Sequence, residues 1–289
     1  NVADVLNNMA IVLTKLNRLD EAYKYNEKAL KINSKYSEGF VVQGHIYKEL
    51  NRLEDALFSF EQANTLNPEL PYILGTILSA KMNLCNWFNL SDQLAELKVK
   101  INNNERVIVP FDLLSLIDDP LLQGKTAVIY ANDQFPKNDS LDKINSYSDH
   151  KKIRVGYFSA DFRIHPVATL TAELYEIHDR SQFEIHAFSF GPDTNDEMNL
   201  RVKQGVDYFH NVMDRSDQEI AILARSLEID IAVDLGGYTA DSRTGVFALS
   251  AAPIQISYIG VLCTMGSDYY DYLVVGQDMI PEENQKYYS

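Results

Sequence analysis

Residues 153–190 read IRVGYFSADFRIHPVATLTAELYEIHDRSQFEIHAFSF. IRVGYFSA is rich in β-branched and aromatic residues and reads as a buried strand. HPVATLTAELYEIHD follows as a helix, and FEIHAFSF as a second strand. The alternation continues downstream. A short helix near 197–203 precedes VDYFHNV, and a helix across 217–227 precedes IDIAVDLGG. A helix near 243–249 then leads to PIQISYIG and the short YLVVG. Strands alternating with helices at this spacing predict a parallel sheet over 153–276, covered on both faces. Ligands of such sheets bind at the carboxyl ends of the strands.

Upstream the pattern differs. Residues 3–70 are self-similar at a lag of 34, with Ala3 answering to Ser37. Small residues recur at the eighth position of each unit (Ala10, Gly44) and large ones at the eleventh (Leu13, Tyr47). Alanines recur at Ala22 and Ala56 and at Ala29 and Ala63, and the turns LNRLDEA and LNRLEDA match. The second unit adds Phe60 and Pro68, where the first has Asn26 and Ser34. Small residues let paired helices approach, an aromatic fills the groove and a proline stops the second helix. Two antiparallel helices per unit follow, and the positions resemble the tetratricopeptide repeat. Such repeats stack on their neighbours and hold extended peptides in a groove. A degenerate third helical stretch runs from Tyr72 to about Asn102, with Cys85 and Trp87 expected in its core.

Residues 1–102 are thus expected as helical repeats, 103–152 as a connector and 153–289 as the α/β lobe. Within the connector a helix is predicted over 121–132, and Asp118 and Asp119 are read as a helix-entry turn before Pro120 rather than a metal pair.

Composition limits the function classes. The net charge of −15 repels phosphate backbones, no basic stripe reverses it, and nucleic-acid binding is set aside. No apolar run reaches the length of a membrane span, and no signal peptide opens the chain. The two cysteines, Cys85 and Cys263, form no ligand-spaced motif and are read as buried thiols of a reducing cytoplasm. The chain starts inside a repeat and stops without a closing element, so both ends are expected to be cuts in a longer protein.

Three strand ends carry chemistry. The first has Ser159, Asp161, Arg163 and His165; the second Asp234, Gly236, Gly237, Tyr238 and Thr239, with Arg243 beyond; the third Gly260, Thr264, Gly266 and Ser267. Pro166 places His165 at a helix entrance, near the positive end of the dipole, where a neutral ring able to accept a proton is expected. A histidine capping its own helix fits the same residues. Gly236 and Gly237 allow either close approach to a ligand or a tight turn. The other histidines (His45, His150, His178, His186, His210) have no metal spacing, and neither a GxGxxG, a P-loop nor an Asp-x-Asp pair occurs.

ADFRIHPVATL, DLGGYTADSRTGVFALSAAPIQISYIG, VPFDLLSLIDDPLLQ and YILGTILSAKMNLCNW together resemble segments of the O-GlcNAc transferase and SPINDLY family, in the family's order and behind its repeats. The likeness is closer to bacterial members than to the animal enzyme. It implies a GT-B unit of two Rossmann-like lobes, of which this chain holds the first. It also implies inverting transfer of a sugar, foremost GlcNAc from UDP-GlcNAc, to serine or threonine hydroxyls of proteins held by the repeats. No cofactor is implied, the donor being a nucleotide sugar. The donor would be bound with a second lobe that supplies a lysine for the diphosphate. On this resemblance His165 is the catalytic residue, as base or positioning group. Asp161, Asp234, Gly236, Gly237, Tyr238, Thr239 and Arg243 are expected at the substrate site, with no metal. Gly236 stands where the animal enzyme has asparagine. GVLCT at 260–264 replaces the family's GYPGT, which bears on activity. Two alternatives remain: a SPINDLY-like fucosyltransferase using GDP-fucose, and a non-catalytic scaffold. This fragment alone is expected to be inactive.

Overall fold

The computed structural model describes residues 2–144, 146–147, 150–261, 263–276 and 278–288. They form two compact units that divide between Asp118 and Asp119.

The first unit is helical: α1 (Val2–Lys15), α2 (Leu19–Ile32), α3 (Ser37–Glu49), α4 (Leu53–Leu66), α5 (Ile73–Asn83), α6 (Leu90–Asn102) and the short α7 (Pro110–Leu114). The repeat signature has a steric basis. A Cβ on Gly44 would meet the Phe60 ring at 2.4 Å, so the aromatic of α4 demands a glycine on α3. In the first repeat the smaller Asn26 leaves room for Ala10. Asn26 is buried; its Nδ2 donates to Asn7 Oδ1 (3.4 Å) and to the Gly39 carbonyl (2.8 Å), while its Oδ1 has no partner among the described residues.

The third repeat departs from the other two. Instead of closing on α6 alone, α5 receives an extended segment: Tyr72 N–H donates to the Arg106 carbonyl (2.6 Å) and Gly75 N–H to that of Val107 (2.8 Å). The backbone comes so close that a Cβ on Gly75 would lie 2.7 Å from Ile108 Cα. Cys85 and Trp87 are not in a core. They lie in the turn between α5 and α6, where Cys85 (φ 52°) and Asn89 (φ 54°) leave the helical region. Trp87 is 54% exposed and Cys85 is exposed too, so only Cys263 fits the expectation of buried thiols.

The second unit opens with α8 (Pro120–Gln134). Asp119 caps it, accepting from the N–H groups of Leu121 (3.0 Å) and Leu122 (3.2 Å). The stretch expected as a connector is therefore shared: its first part completes the helical unit and α8 joins the lobe. The lobe continues as β1 (Ile153–Ser159), α9 (Pro166–Ile177), β2 (Phe183–Ser189), α10 (Glu197–Gly205), β3 (Tyr208–Asn211), α11 (Asp217–Ser226), β4 (Ile231–Asp234), α12 (Thr244–Ala248), β5 (Ile254–Tyr258) and β6 (Tyr272–Val274). All strand pairs are parallel, in the order β3-β2-β1-β4-β5-β6. This Rossmann-like order reverses direction between β1 and β4.

Period-two alternation sorts the strand side chains. Val155, Tyr157, Ile185 and Val233 join α9 and α10 on one face. Phe158 and Phe188, stacked 4.4 Å apart, join α8, α11 and α12 on the other. Both faces being buried, the strands read as apolar runs. No helix among the described residues is long and apolar enough to cross a membrane.

Candidate functional site

Phe158 and Asp234 are register partners, so the loop leaving β1 and the turn leaving β4 begin side by side at the switch point of the sheet. In the loop, Ser159 Oγ accepts from Asp161 N–H (2.9 Å) and Asp161 Oδ1 accepts from Arg163 (3.2 Å). Asp161 Oδ2 lies 3.7 Å from His165 Nδ1, an ionic distance longer than a hydrogen bond. His165 is the N-cap of α9: Val167 N–H donates to its Nδ1 at 3.3 Å. A nitrogen that accepts presents its lone pair, so in the neutral ring the proton sits on Nε2. The ring is half-buried, and no described group hydrogen-bonds Nε2. Asp161, Arg163 and His165 thus come together as one polar cluster.

Two residues that the sequence did not single out hold this loop. Asp196, the N-cap of α10, accepts from Ile164 N–H (3.0 Å), Thr194 Oγ1 (2.6 Å) and Asn199 N–H (2.9 Å). Asn199, fully buried, donates to the Phe162 carbonyl at 2.7 Å. Against the cost of desolvation, the hydrogen bonds from Thr194 and the backbone hold the Asp196 carboxyl down at about 2. The capping pattern at Asp196 was visible in the sequence, but its reach back to Ile164, 32 residues earlier, was not.

The β4 turn is built the other way round. Asp234 is 2% exposed, and all its acceptor positions in use face inward. Oδ1 takes the N–H groups of Gly236 (2.9 Å) and Gly237 (3.2 Å), and Oδ2 takes the hydroxyl of the buried Tyr270. Burial pushes this carboxyl up, against the pull of those three donors. Asp234 therefore shapes the turn and does not present itself to a ligand. Tyr238 also turns inward. Its hydroxyl donates to the Met265 carbonyl (2.5 Å), and its ring packs edge-on to Tyr130 at 5.0 Å, in the core. Arg243 is diverted sideways, its Nε donating to Asp217 (2.5 Å) and its Nη2 to the Arg215 carbonyl (2.8 Å).

Three residues of the turn remain near the surface of the switch point or shape its backbone. Thr239 is half-buried, with its hydroxyl donating to the Gly236 carbonyl (2.9 Å). Gly237 has φ 58°, and a Cβ there would meet Val261 at 2.7 Å. Gly236 is different: a Cβ would find nothing nearer than 3.5 Å, so its lack of a side chain is not forced.

The third strand end packs beneath this turn. A Cβ on Gly260 would strike the Leu235 carbonyl oxygen at 2.3 Å. Thr264 is buried and accepts from Gly266 N–H (3.2 Å). Burial pushes the Cys263 thiol up to about 12 and keeps it protonated. Leu262 of the GVLCT stretch lies outside the described residues. No group of three or more His, Cys, Asp or Glu side chains that could hold a metal occurs among the described residues.

The model of glycosyl transferase family 41 matches residues 131–289, more than half the chain, and tetratricopeptide-repeat models match 3–36 and 38–70. Among curated relatives, the probable UDP-N-acetylglucosamine–peptide N-acetylglucosaminyltransferase SEC of Arabidopsis thaliana is 34% identical over 139 residues, 48% of this chain and 14% of that protein. The UDP-N-acetylglucosamine–peptide N-acetylglucosaminyltransferase of Caenorhabditis elegans is 33% identical over 157 residues, 52% of this chain and 12% of that one. These alignments span about a seventh or less of the relatives' length. A solved mutant of the Thermobaculum terrenum O-GlcNAc transferase shares the fold, with a TM-score of 0.71 at 24% identity over 99% of this chain and 56% of that one.

Proposed function

This chain belongs to glycosyl transferase family 41, and from that premise we propose that it carries the repeats and first catalytic lobe of a protein O-glycosyltransferase. The reaction is transfer of N-acetylglucosamine from UDP-GlcNAc to serine or threonine hydroxyls. The names of the relatives support this donor: SEC, the Caenorhabditis elegans enzyme and the SPINDLY protein of rice are each named for UDP-N-acetylglucosamine. The repeats supply a surface for the acceptor protein.

The observation that carries the reading is His165 at the switch point, capped through Nδ1 and with Nε2 uncommitted. A ring so held offers Nε2–H to a substrate oxygen. It is thereby a positioning donor: the proton of the acceptor hydroxyl must leave to another base while the diphosphate departs from the anomeric carbon. Fixed donors aimed at developing charge are the usual source of such catalysis. Thr239 and the Gly236 backbone belong to the turn leaving the neighbouring strand, while Asp161 and Arg163 share the loop of the histidine. Arg163 and Arg243 are both engaged within the lobe, so neutralising the diphosphate falls to groups outside this strand edge.

Incubating the intact protein with a serine- and threonine-rich acceptor and either UDP-GlcNAc or GDP-fucose tests the reading. Mass addition from UDP-GlcNAc alone is expected. Addition from GDP-fucose alone would replace the donor, and addition from neither would leave the scaffold alternative.

A further inference from the structure

His150 precedes β1, at the edge of the parallel sheet opposite to His165. Its side chain is 12% exposed and lies between two carboxylates. Nε2 is 2.8 Å from Glu228 Oε2, in the turn after α11, and Nδ1 is 3.2 Å from Asp230 Oδ2, just before β4. An ionised carboxylate only accepts, and a neutral imidazole donates from one nitrogen alone. Both contacts can be hydrogen bonds at once only in the imidazolium, which donates from both nitrogens. In the neutral ring one lone pair must face a carboxylate oxygen.

The carboxylates do not depend on His150 in return. Arg154, on β1, donates from Nη1 to Glu228 (2.9 Å) and from its backbone N–H to Asp230 (2.8 Å), and its Nε pairs with Glu184 on β2 (3.2 Å). Loss of the imidazolium proton therefore leaves the strand starts paired and frees the other side of the contact, the segment that joins α8 to β1. Elsewhere in that segment Leu141 packs partly on the core, and the Asp142 carbonyl accepts from Arg225 (2.5 Å). Tyr147 donates to the Arg225 carbonyl (3.3 Å) and stacks on His150 at 5.9 Å, and the exposed Lys151 and Lys152 follow. We propose that His150 is a proton-operated latch: charged, it fastens this segment to the starts of β1 and β4, and neutral, it lets the segment go. The hydrogen bond to Glu228, and then the one to Asp230, lift the imidazole above its ordinary 6.5, against burial and the charge of Arg154. A raised histidine contributes stability that is fully present below about 6.5 and is lost as pH rises through the folded value, so the latch opens on the alkaline side. The proposal stands apart from the transferase reading, because the strand ends around His165 lie at the other edge of the sheet.

Two measurements on the 289-residue chain test this. Histidines labelled with carbon-13 at Cε1 are titrated by NMR, the His150 resonance being the one missing from His150→Gln. Its midpoint is expected above 6.5, and Glu228→Gln is expected to lower it. Trypsin then reads the segment at the exposed Lys143 and Lys151, near pH 6 and near pH 9, on either side of the histidine range. Rates are taken relative to His150→Gln under the same conditions, which removes the pH dependence of trypsin itself. Against that variant the chain is expected to be cut about fivefold more slowly near pH 6, the scale of a partly exposed ion pair, and at about the same rate near pH 9. Circular dichroism melts show that the variants remain folded, and Glu228→Gln, read in the same way, serves as a second reference. A His150 midpoint at or below 6.5, or a relative cutting rate that is the same at both pH values, would overturn the proposal.

Discussion

The loop after β1 and the turn after β4 leave neighbouring strands, yet they handle polar groups in opposite ways. The first keeps Asp161, Arg163 and His165 at the surface and is strapped from outside by Asp196 and Asn199. The second draws its carboxylate inward, where Asp234 organises Gly236 and Gly237 from below and is itself held by Tyr270. One loop presents chemistry, and the other presents backbone shaped by buried chemistry. A charged residue at a strand end is thus no guide to which atoms a ligand meets. The direction of the side chain decides it, and that direction depends on partners far along the chain.

The largest effect should come from the buried side of this contrast. Asp234→Ala strands the Tyr270 hydroxyl and two N–H groups, and should cost about 3 kcal/mol or more by the usual penalty for unsatisfied buried groups. Tyr270→Phe removes one donor and should cost about 1–2 kcal/mol. Denaturant titration of the chain checks both, and near-neutral values would mean that Asp234 is not the organiser of the turn.

Next come the two glycines. Gly237→Ala places a side chain at φ 58° and against Val261, and should cost about 1–2 kcal/mol or more. Gly236→Ala should change stability by less than about 0.5 kcal/mol, because its Cβ meets only ordinary contacts. Equal losses at the two positions would show that the turn is not built as described.

On the outer loop the effect is smaller and depends on pH. The folded-state carboxyl of Asp196 sits at about 2, below its ordinary 3.8. A depressed carboxyl contributes stability that is fully present above about 3.8 and fades as pH falls through about 2. Asp196→Asn should remove that part of the acid dependence and leave the neutral-pH region of the stability curve flat. An unchanged acid limb would show that Asp196 does not strap the loop. At the end of the scale, EDTA should leave transfer by the intact protein unaffected. Activity lost in EDTA and restored by Mn²⁺ or Mg²⁺ would expose a metal role at either strand end.

Much of this architecture was legible because its signals are local. Strand alternation, the Asp119–Pro120 helix entry and the 34-residue repeat each depend on spacings of a few residues, and each element appears where the pattern puts it. His165 was legible as far as its place at the start of α9, since Pro166 fixes the helix entrance. Whether it caps its helix was not, because capping and site chemistry use the same ring; the structure shows the cap at Nδ1 and no described partner at Nε2. The side-chain directions of Tyr238 and Arg243 were not legible, for one reason. Their partners, Met265, Asp217 and Arg215, lie more than twenty residues away, and nothing local marks such pairs. Cys85 and Trp87 misled through composition, since apolar residues at helical spacing occupy a turn whose backbone has left the helix.

His165→Asn in the intact protein separates the two duties of His165. Asparagine is a good N-cap, so α9 should keep its cap and stability should change by only a few tenths of a kcal/mol. The imidazole is gone, however, and sugar transfer from UDP-GlcNAc should fall about 100-fold or more, as it does when a fixed catalytic donor is removed. A folded His165→Asn protein that transfers sugar at the original rate would contradict the account and place the chemistry elsewhere.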